Sequence, residues 1–231
     1  MNQFAPQQRV IARGTTDRAT EALWVTYRWM TGGLAVTGLV ALLVASSPAL
    51  LGMLLSSPIL FYGLMFAQLG LVIAFSTMAP RVSSVAAIGM FFAYAALTGV
   101  TFSVLFVVYT AASIAKVFFI TAGAFAGLSV VGATTKKDLS VVGRFAIFAL
   151  IGIIIASIVN IFLASTGLDW LLSIAGVLVF AGLTAYDTQR LKAMFAEGVH
   201  GNMAIIGALT LYLDFINMFL FLLRLFGRRR D

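Results

Sequence analysis

The stretch Met203-Ala-Ile-Ile-Gly-Ala-Leu-Thr-Leu-Tyr-Leu-Asp-Phe-Ile-Asn-Met-Phe-Leu-Phe-Leu-Leu-Arg-Leu-Phe226 decides the fold class. It is apolar almost throughout, and as a helix it measures roughly 36 Å at 1.5 Å per residue. The hydrocarbon core of a bilayer is about 30 Å thick. The run is therefore a spanning helix, and it carries a carboxylate, Asp214, near its middle. Six similar runs precede it, at about Tyr27–Ser46, Pro58–Met78, Ser84–Tyr109, Ser113–Gly132, Val141–Ala164 and Leu168–Arg190. Prolines at 58 and 80 mark the start and end of the second. None shows the short alternating pattern of a barrel strand. The expected architecture is an all-α membrane protein, a seven-transmembrane-helix bundle in one domain (24–231) behind a polar cytoplasmic tail (1–23).

Composition agrees. Of 231 residues, 61% are hydrophobic and only 10% charged, against about 25% charged in a soluble domain. Intrinsic disorder needs the opposite balance. With no cysteine and one histidine, a disulfide scaffold or a zinc or iron–sulfur site is not expected. The net charge of +7 does not point to nucleic acid. The basic residues stand at Arg9–Arg28, Lys136–Arg144, Arg190–Lys192 and Arg224–Arg230, between apolar runs. There they face anionic lipid. The expected partners are thus the bilayer and no nucleic acid. Arg28 followed by Thr31–Ala45 is also a signal-peptide pattern, but the segment before it is long and another span follows.

Seven spans put Arg9, Arg13, Arg18, Arg28, Arg81, Lys136, Lys137, Arg144, Arg190 and Lys192 on one side. Lys116 and the C-terminal arginines fall on the other. Positive residues stay inside, so a cytoplasmic N-terminus is expected. The C-terminal arginines oppose this, unless the last segment re-enters; its length favours a full span.

Few ionisable groups lie within the spans. Asp187 and Asp214 stand out, because a carboxylate at membrane depth costs about 2.5–3.5 kcal/mol on insertion scales. The plain reading of Asp187 is a helix end wetted by the loop with Arg190 and Lys192. That of Asp214 is a satisfied interhelical hydrogen bond. Gly207, Thr210, Asp214, Asn217, Phe221 and Arg224 recur every three or four residues, so span seven carries a small-and-polar stripe. Span six ends with Thr184 and Asp187 on one face. A short loop makes the two spans antiparallel neighbours, which brings the carboxyl groups within reach of each other. Such a pair shares a proton, and without it repels and attracts a hard cation such as Ca2+ with oxygen ligands. That is a recipe for a pH-dependent gate, with Asp187 and Asp214 as transient Ca2+ ligands and no resident cofactor.

Other polar residues give weaker signals. Gln68 in span two, Tyr94, Thr98 and Thr101 in span three, and Ser157 and Asn160 in span five serve as helix–helix glue or pore lining. Thr184, Thr210, Asn217, Gln68 and Arg81 are the candidates to support the pathway. Arg81 is an interfacial anchor or a counter-ion for the aspartates. Gly123 and Gly127 form a GxxxG match that reads as close packing. Lys116 snorkels. His200 reads as a solvated loop residue.

Two segments, Gly182-Leu-Thr-Ala-Tyr-Asp-Thr-Gln-Arg-Leu-Lys192 and Ala208-Leu-Thr-Leu-Tyr-Leu-Asp-Phe-Ile-Asn217, resemble the paired signatures of the Bax inhibitor-1/YccA family. Thr135-Lys-Lys-Asp-Leu-Ser140 is similar to its loop motif. Tyr109-Thr-Ala-Ala-Ser-Ile114 and the arginine-rich end resemble the bacterial YbhL-type branch. The resemblance covers nearly the whole chain beyond the tail. It implies a seven-helix bundle around span seven, a di-aspartyl pH sensor at Asp187 and Asp214, and a pH-dependent calcium leak in a bacterial inner membrane. In some relatives an arginine near the end of span two locks onto the aspartates; here Arg81 stands displaced past Pro80.

Two further function classes compete with the leak channel. One is an interaction protein that modulates a membrane protease or another quality-control partner, for which the tail 1–23 would matter. The other is an intramembrane aspartyl protease, suggested by Tyr186-Asp187. Its second signature, Gly-x-Gly-Asp, is replaced here by Leu211-Tyr-Leu-Asp214, and Pro48-Ala-Leu50 lies before the aspartates rather than after them. There is no Gly-x-Ser-x-Gly elbow and no phosphate loop, so an enzyme is not expected.

Overall fold

The computed structural model describes residues 5–198 and 201–230, with side chains from residue 17 onward. Among them the secondary structure is helical: α1 (Ala5–Ala45), α2 (Pro48–Ser56), α3 (Pro58–Met78), α4 (Ser84–Phe102), α5 (Leu105–Val108), α6 (Ala111–Thr134), α7 (Ser140–Leu163), α8 (Thr166–Ala196) and α9 (Met203–Phe226). Seven of these segments are long and apolar enough to cross a membrane, with α4 and α5 counted together. The chain is an all-α membrane protein.

Local chemistry sets the boundaries. Ser47-Pro48 and Ser57-Pro58 repeat one device: the serine hydroxyl accepts the amide of Leu50 or Leu60, and proline occupies the first turn. Each proline lacks the N–H that a first turn cannot use. The chain between the first two spans is therefore a short helix, α2, and Ser47-Pro48 opens it. Span three is broken at Ser103, whose hydroxyl donates to the Val100 carbonyl (2.7 Å). Its amide is shared between Gly99 and Val100. Such three-residue tightening ends a helix.

Two expectations need correction. The segment 1–23 is not a tail over its described part. It is helical from Ala5 and continuous with the first span, and Ala19 and Leu23 are buried. At 41 residues, α1 is about 61 Å long, so it continues beyond the bilayer. The GxxxG pair is not a packing site either, since a Cβ at Gly123 or Gly127 would meet nothing within 4 Å. Close approach occurs instead at Gly132, where a Cβ would strike the Ala185 carbonyl, and at Gly143, where it would lie 2.6 Å from the Tyr186 ring. These two glycines seat α6 and α7 on α8 beside Ala185 and Tyr186, the two residues before Asp187.

α9 is the centre of the bundle. Its most apolar stretch is 67% buried, against 6% for α3. It packs against α8, α1, α6 and α4, whereas α7 leans mainly on α8. Phe215 makes edge contacts with Phe118 and Phe125 of α6. Tyr212 is enclosed by Phe91 and Tyr94 of α4. The outer helices expose large apolar side chains such as Ile59, Phe66, Phe145, Phe148 and Phe162, as a lipid-facing surface requires.

α9 is one unbroken helix, so the last segment is a full span rather than a re-entrant one. The chain beyond it is tied down. Thr110 N donates to Arg228 O (3.1 Å), Arg230 N to Val108 O (2.9 Å), and Arg228 N to Ser113 Oγ (2.8 Å). This pairing holds the arginines beside the α5–α6 connection.

Candidate functional site: two carboxyl groups between α8 and α9

α8 and α9 pack along each other as an antiparallel pair. Asp187, near the C-terminal end of α8, and Asp214, near the middle of α9, meet at their interface. Their relative exposures are 9% and 4%. The two carboxyl groups lie close enough to feel each other's charge. Oδ2 of Asp214 has no hydrogen-bond partner among the described residues. Two carboxylates offer each other acceptors only; a proton held between them would supply the missing donor.

The surroundings are apolar above and below. Leu211, Phe215, Ile216 and Met218 of α9 are buried, as are Leu183 and Leu191 of α8. Thr184, one turn before Asp187, is fully buried, and its hydroxyl donates to the Phe180 carbonyl (2.7 Å). Thr210 donates to Ile206 O (3.2 Å) and Asn217 to Leu213 O (2.8 Å). These groups are spent on their own helix, but Thr210 and Asn217 share the face of Asp214.

Two other proposed residues stand elsewhere. Gln68 donates to Thr98 Oγ1 (3.1 Å) and Thr101 Oγ1 (3.2 Å). It joins α3 to α4 and is helix–helix glue. Arg81 is exposed and makes no ion pair with either aspartate among the described residues. The cation whose charge reaches Asp187 is Arg190, on the same helix. His200 lies outside the described residues. No third carboxylate or histidine joins the pair among the described residues. A cation here would meet two carboxyl groups and otherwise water or backbone oxygen.

The sequence did not reveal how the site is braced. Gln189 Oε1 accepts the Leu139 amide (2.9 Å), and its Nε2 donates to Lys137 O (2.9 Å). Lys192 Nζ donates to Ala133 O (2.7 Å). Together they fasten the end of α6 and the α6–α7 loop to α8 immediately after Asp187. In that loop Asp138 accepts the Ser140 hydroxyl (2.6 Å) and amide (2.9 Å). These bonds hold the Asp138 carboxyl below its ordinary value. On the other side, the hydroxyls of Tyr27 and Thr188 are 3.3 Å apart, which links α1 to α8. The Tyr212 and Thr37 hydroxyls are 2.7 Å apart, and that of Thr37 lies 2.9 Å from Ala95 O. With Tyr212 as donor to Thr37, one chain of bonds joins α9, α1 and α4. Thr and Gln occur all through such helices, so only their partners distinguish these positions.

The family profile described as "Inhibitor of apoptosis-promoting Bax1" matches residues 21–231. The chain belongs to the Bax inhibitor-1 family. It is 50% identical over 211 residues to the inner membrane protein YbhL of Escherichia coli (strain K12), covering 88% of this chain and 90% of that protein. An uncharacterized protein of Deinococcus radiodurans is 46% identical over 221 residues, covering 94% of both chains. One from Borreliella burgdorferi is 44% identical over 207 residues, covering 87% of this chain and 89% of that protein. The family match spans both aspartate-bearing helices and all the elements that bury them.

Proposed function

We propose that this chain is a pH-gated calcium, or general cation, leak channel of the bacterial inner membrane, with Asp187 and Asp214 as its proton sensor. The observation that carries the reading is the buried carboxyl pair, in which Asp214 Oδ2 has no hydrogen-bond partner among the described residues. Bridged by a proton, the pair fastens α8 to α9. Without the proton it becomes two like charges in a low-dielectric setting, which costs energy unless a cation binds or the helices part. Either response connects the sensor to ion passage. The inner membrane placement rests on similarity to a relative of that description, and the cytoplasmic N-terminus on the distribution of basic residues.

Calcium uptake into proteoliposomes carrying an entrapped indicator tests the reading. Protein-containing vesicles should leak above empty ones, and the leak should vary with pH between 5 and 8. If folded, inserted protein leaks no more than empty vesicles, the channel reading is wrong. The reading also holds that the chain is not an enzyme. Cleavage of a model transmembrane substrate, lost in Asp214→Ala, would contradict that.

A further inference from the structure

The polar stripe of α9 does not stop at the carboxyl pair. It continues through Asn217 and Phe221 to Arg224, and this part opens into a cleft of about 620 Å³ between α7, α8 and α9. Ser157 and Asn160 of α7, Asp169 of α8, and Asn217 and Arg224 of α9 all line it. A second hollow of about 380 Å³ shares Asn160, Asp169 and Arg224 and reaches Ser165 and Arg229 at the end of the bundle. The two together run from the C-terminal end of α9 inward.

The cleft is built by unlike packing on its sides. α8 packs against both α7 and α9, and α7 stands off from α9. Phe221 stacks on Phe180 with ring centroids 6.1 Å apart. Its ring sits against Gly176, where a Cβ would come within 2.5 Å of it. This stack forms an apolar wall, and Asn217 lies on the inner side of it.

Most of the lining is apolar, from Leu150, Ile153 and Ile158 of α7 and Phe180 of α8, but five polar side chains stand among these groups and need partners. Asn217 uses an amide N–H on Leu213 O, which leaves its side-chain carbonyl without a protein partner among the described residues. Asn160 spends its carbonyl oxygen on Ser165 N (3.1 Å), which leaves its amide N–H groups. Ser157 has no protein partner among the described residues. Amides and hydroxyls within the hydrocarbon region stay solvated or paired, because neither lipid nor vacuum satisfies them. At the mouth, Arg224 meets Asp169 at 3.5 Å, with both side chains about half exposed (49% and 47%). The guanidinium also lies 5.6 Å above the Phe221 ring, so it is held over the entrance.

We propose that this cleft is a water-filled vestibule that admits small cations from the C-terminal end as far as Asn217, with Arg224 the charge that must be displaced from Asp169 for entry. Asn217 is one turn from Asp214, roughly 4.5 Å along the helix axis. The vestibule thus ends where the carboxyl pair begins. Its role in cation passage rests on the leak reading above; its water does not. Moving Arg224 aside would also expose the Asp169 carboxylate to the entering ion, so the same motion removes a repulsive charge and adds an attractive one.

The native chain has no cysteine, so single thiols report access directly. Asn217→Cys and Ser157→Cys would be reconstituted in vesicles and exposed on both faces to membrane-impermeant cationic or anionic methanethiosulfonate reagents. Phe145→Cys, on the lipid-facing side of α7 (72% exposed), is the buried-in-lipid reference. Both cleft positions should react at least tenfold faster than the reference. Adding Arg224→Gln should raise the ratio of cationic to anionic reagent rates by about tenfold, the order expected for one nearby charge. Adding Asp169→Asn should lower it. Reaction at both cleft positions as slow as at Phe145→Cys, in protein that elutes as the native chain does, overturns the vestibule. An unchanged ratio in Arg224→Gln overturns the role of the arginine. Calcium uptake by the same vesicles separates the two readings. Fast labelling without uptake keeps the vestibule and removes the leak, and uptake without labelling does the reverse.

Discussion

Gly132 shows how little room a single residue has here. A Cβ at that position would run into the Ala185 carbonyl, and a backbone atom cannot turn aside. Gly132→Val should therefore destabilise the protein by about 1–3 kcal/mol or more, as overpacking does. Unfolding in mixed micelles would read this, and Gly123→Val, at an open position, should change little. Tyr212→Phe is the gentler case. It removes one buried hydroxyl bond to Thr37, and membrane-protein hydrogen bonds average about 0.6 kcal/mol. A loss near that size is expected by the same unfolding measurement. Sequence made the aspartates legible because a carboxylate in an apolar run has no cheap explanation. It did not make Gln189, Thr37 or Tyr212 legible, because each is a common helix residue whose role depends on a partner far along the chain. Gly132 was likewise one of 21 glycines, and spacing alone favoured the wrong pair.

The α6–α7 loop is the element whose behaviour is most open to test. Gln189 clamps it at both Lys137 O and the Leu139 amide. Gln189→Leu should speed hydrogen exchange at Leu139 by about tenfold, the effect of losing roughly 1.4 kcal/mol of local protection. Exchange in α9 should stay unchanged. Asp138 adds a pH dependence to the same loop. Its carboxyl is held below the ordinary value by the Ser140 hydroxyl and then the Ser140 amide. A depressed carboxylate contributes its stabilisation above its unfolded value and loses it as pH falls through the folded value. Protection of the Ser140 amide should thus be full above pH ~4 and decline below it. In Asp138→Ala this decline should disappear. Element ends were readable where Ser-Pro or Pro marked them, and α3 and α9 begin and end where their apolar runs do. α2 escaped because its composition matches the spans on either side and only its caps separate it. The extension of α1 escaped because arginines and a proline near a terminus resemble a tail. The pinned C-terminus escaped because backbone pairing leaves no residue-type signal.

The whole molecule is a sleeve of helices around α9, and the basic residues divide between its two ends. With seven spans the N- and C-termini lie on opposite sides. With the N-terminus in the cytoplasm as proposed, a reporter enzyme that is active only outside the cytoplasm should be active when fused after Arg230 and silent when fused after Pro80. The opposite pattern would invert the orientation and show that the C-terminal arginines dominate. The central claim concerns the pair that α8 and α9 bury between them. The most direct test is calcium uptake by proteoliposomes from pH 5 to 8, with the native chain beside Asp214→Asn and Asp187→Asn. The account predicts a pH-dependent leak in the native chain and a flattened profile in both variants, since an amide neither shares nor releases the proton. A native pH profile retained in both variants would contradict it.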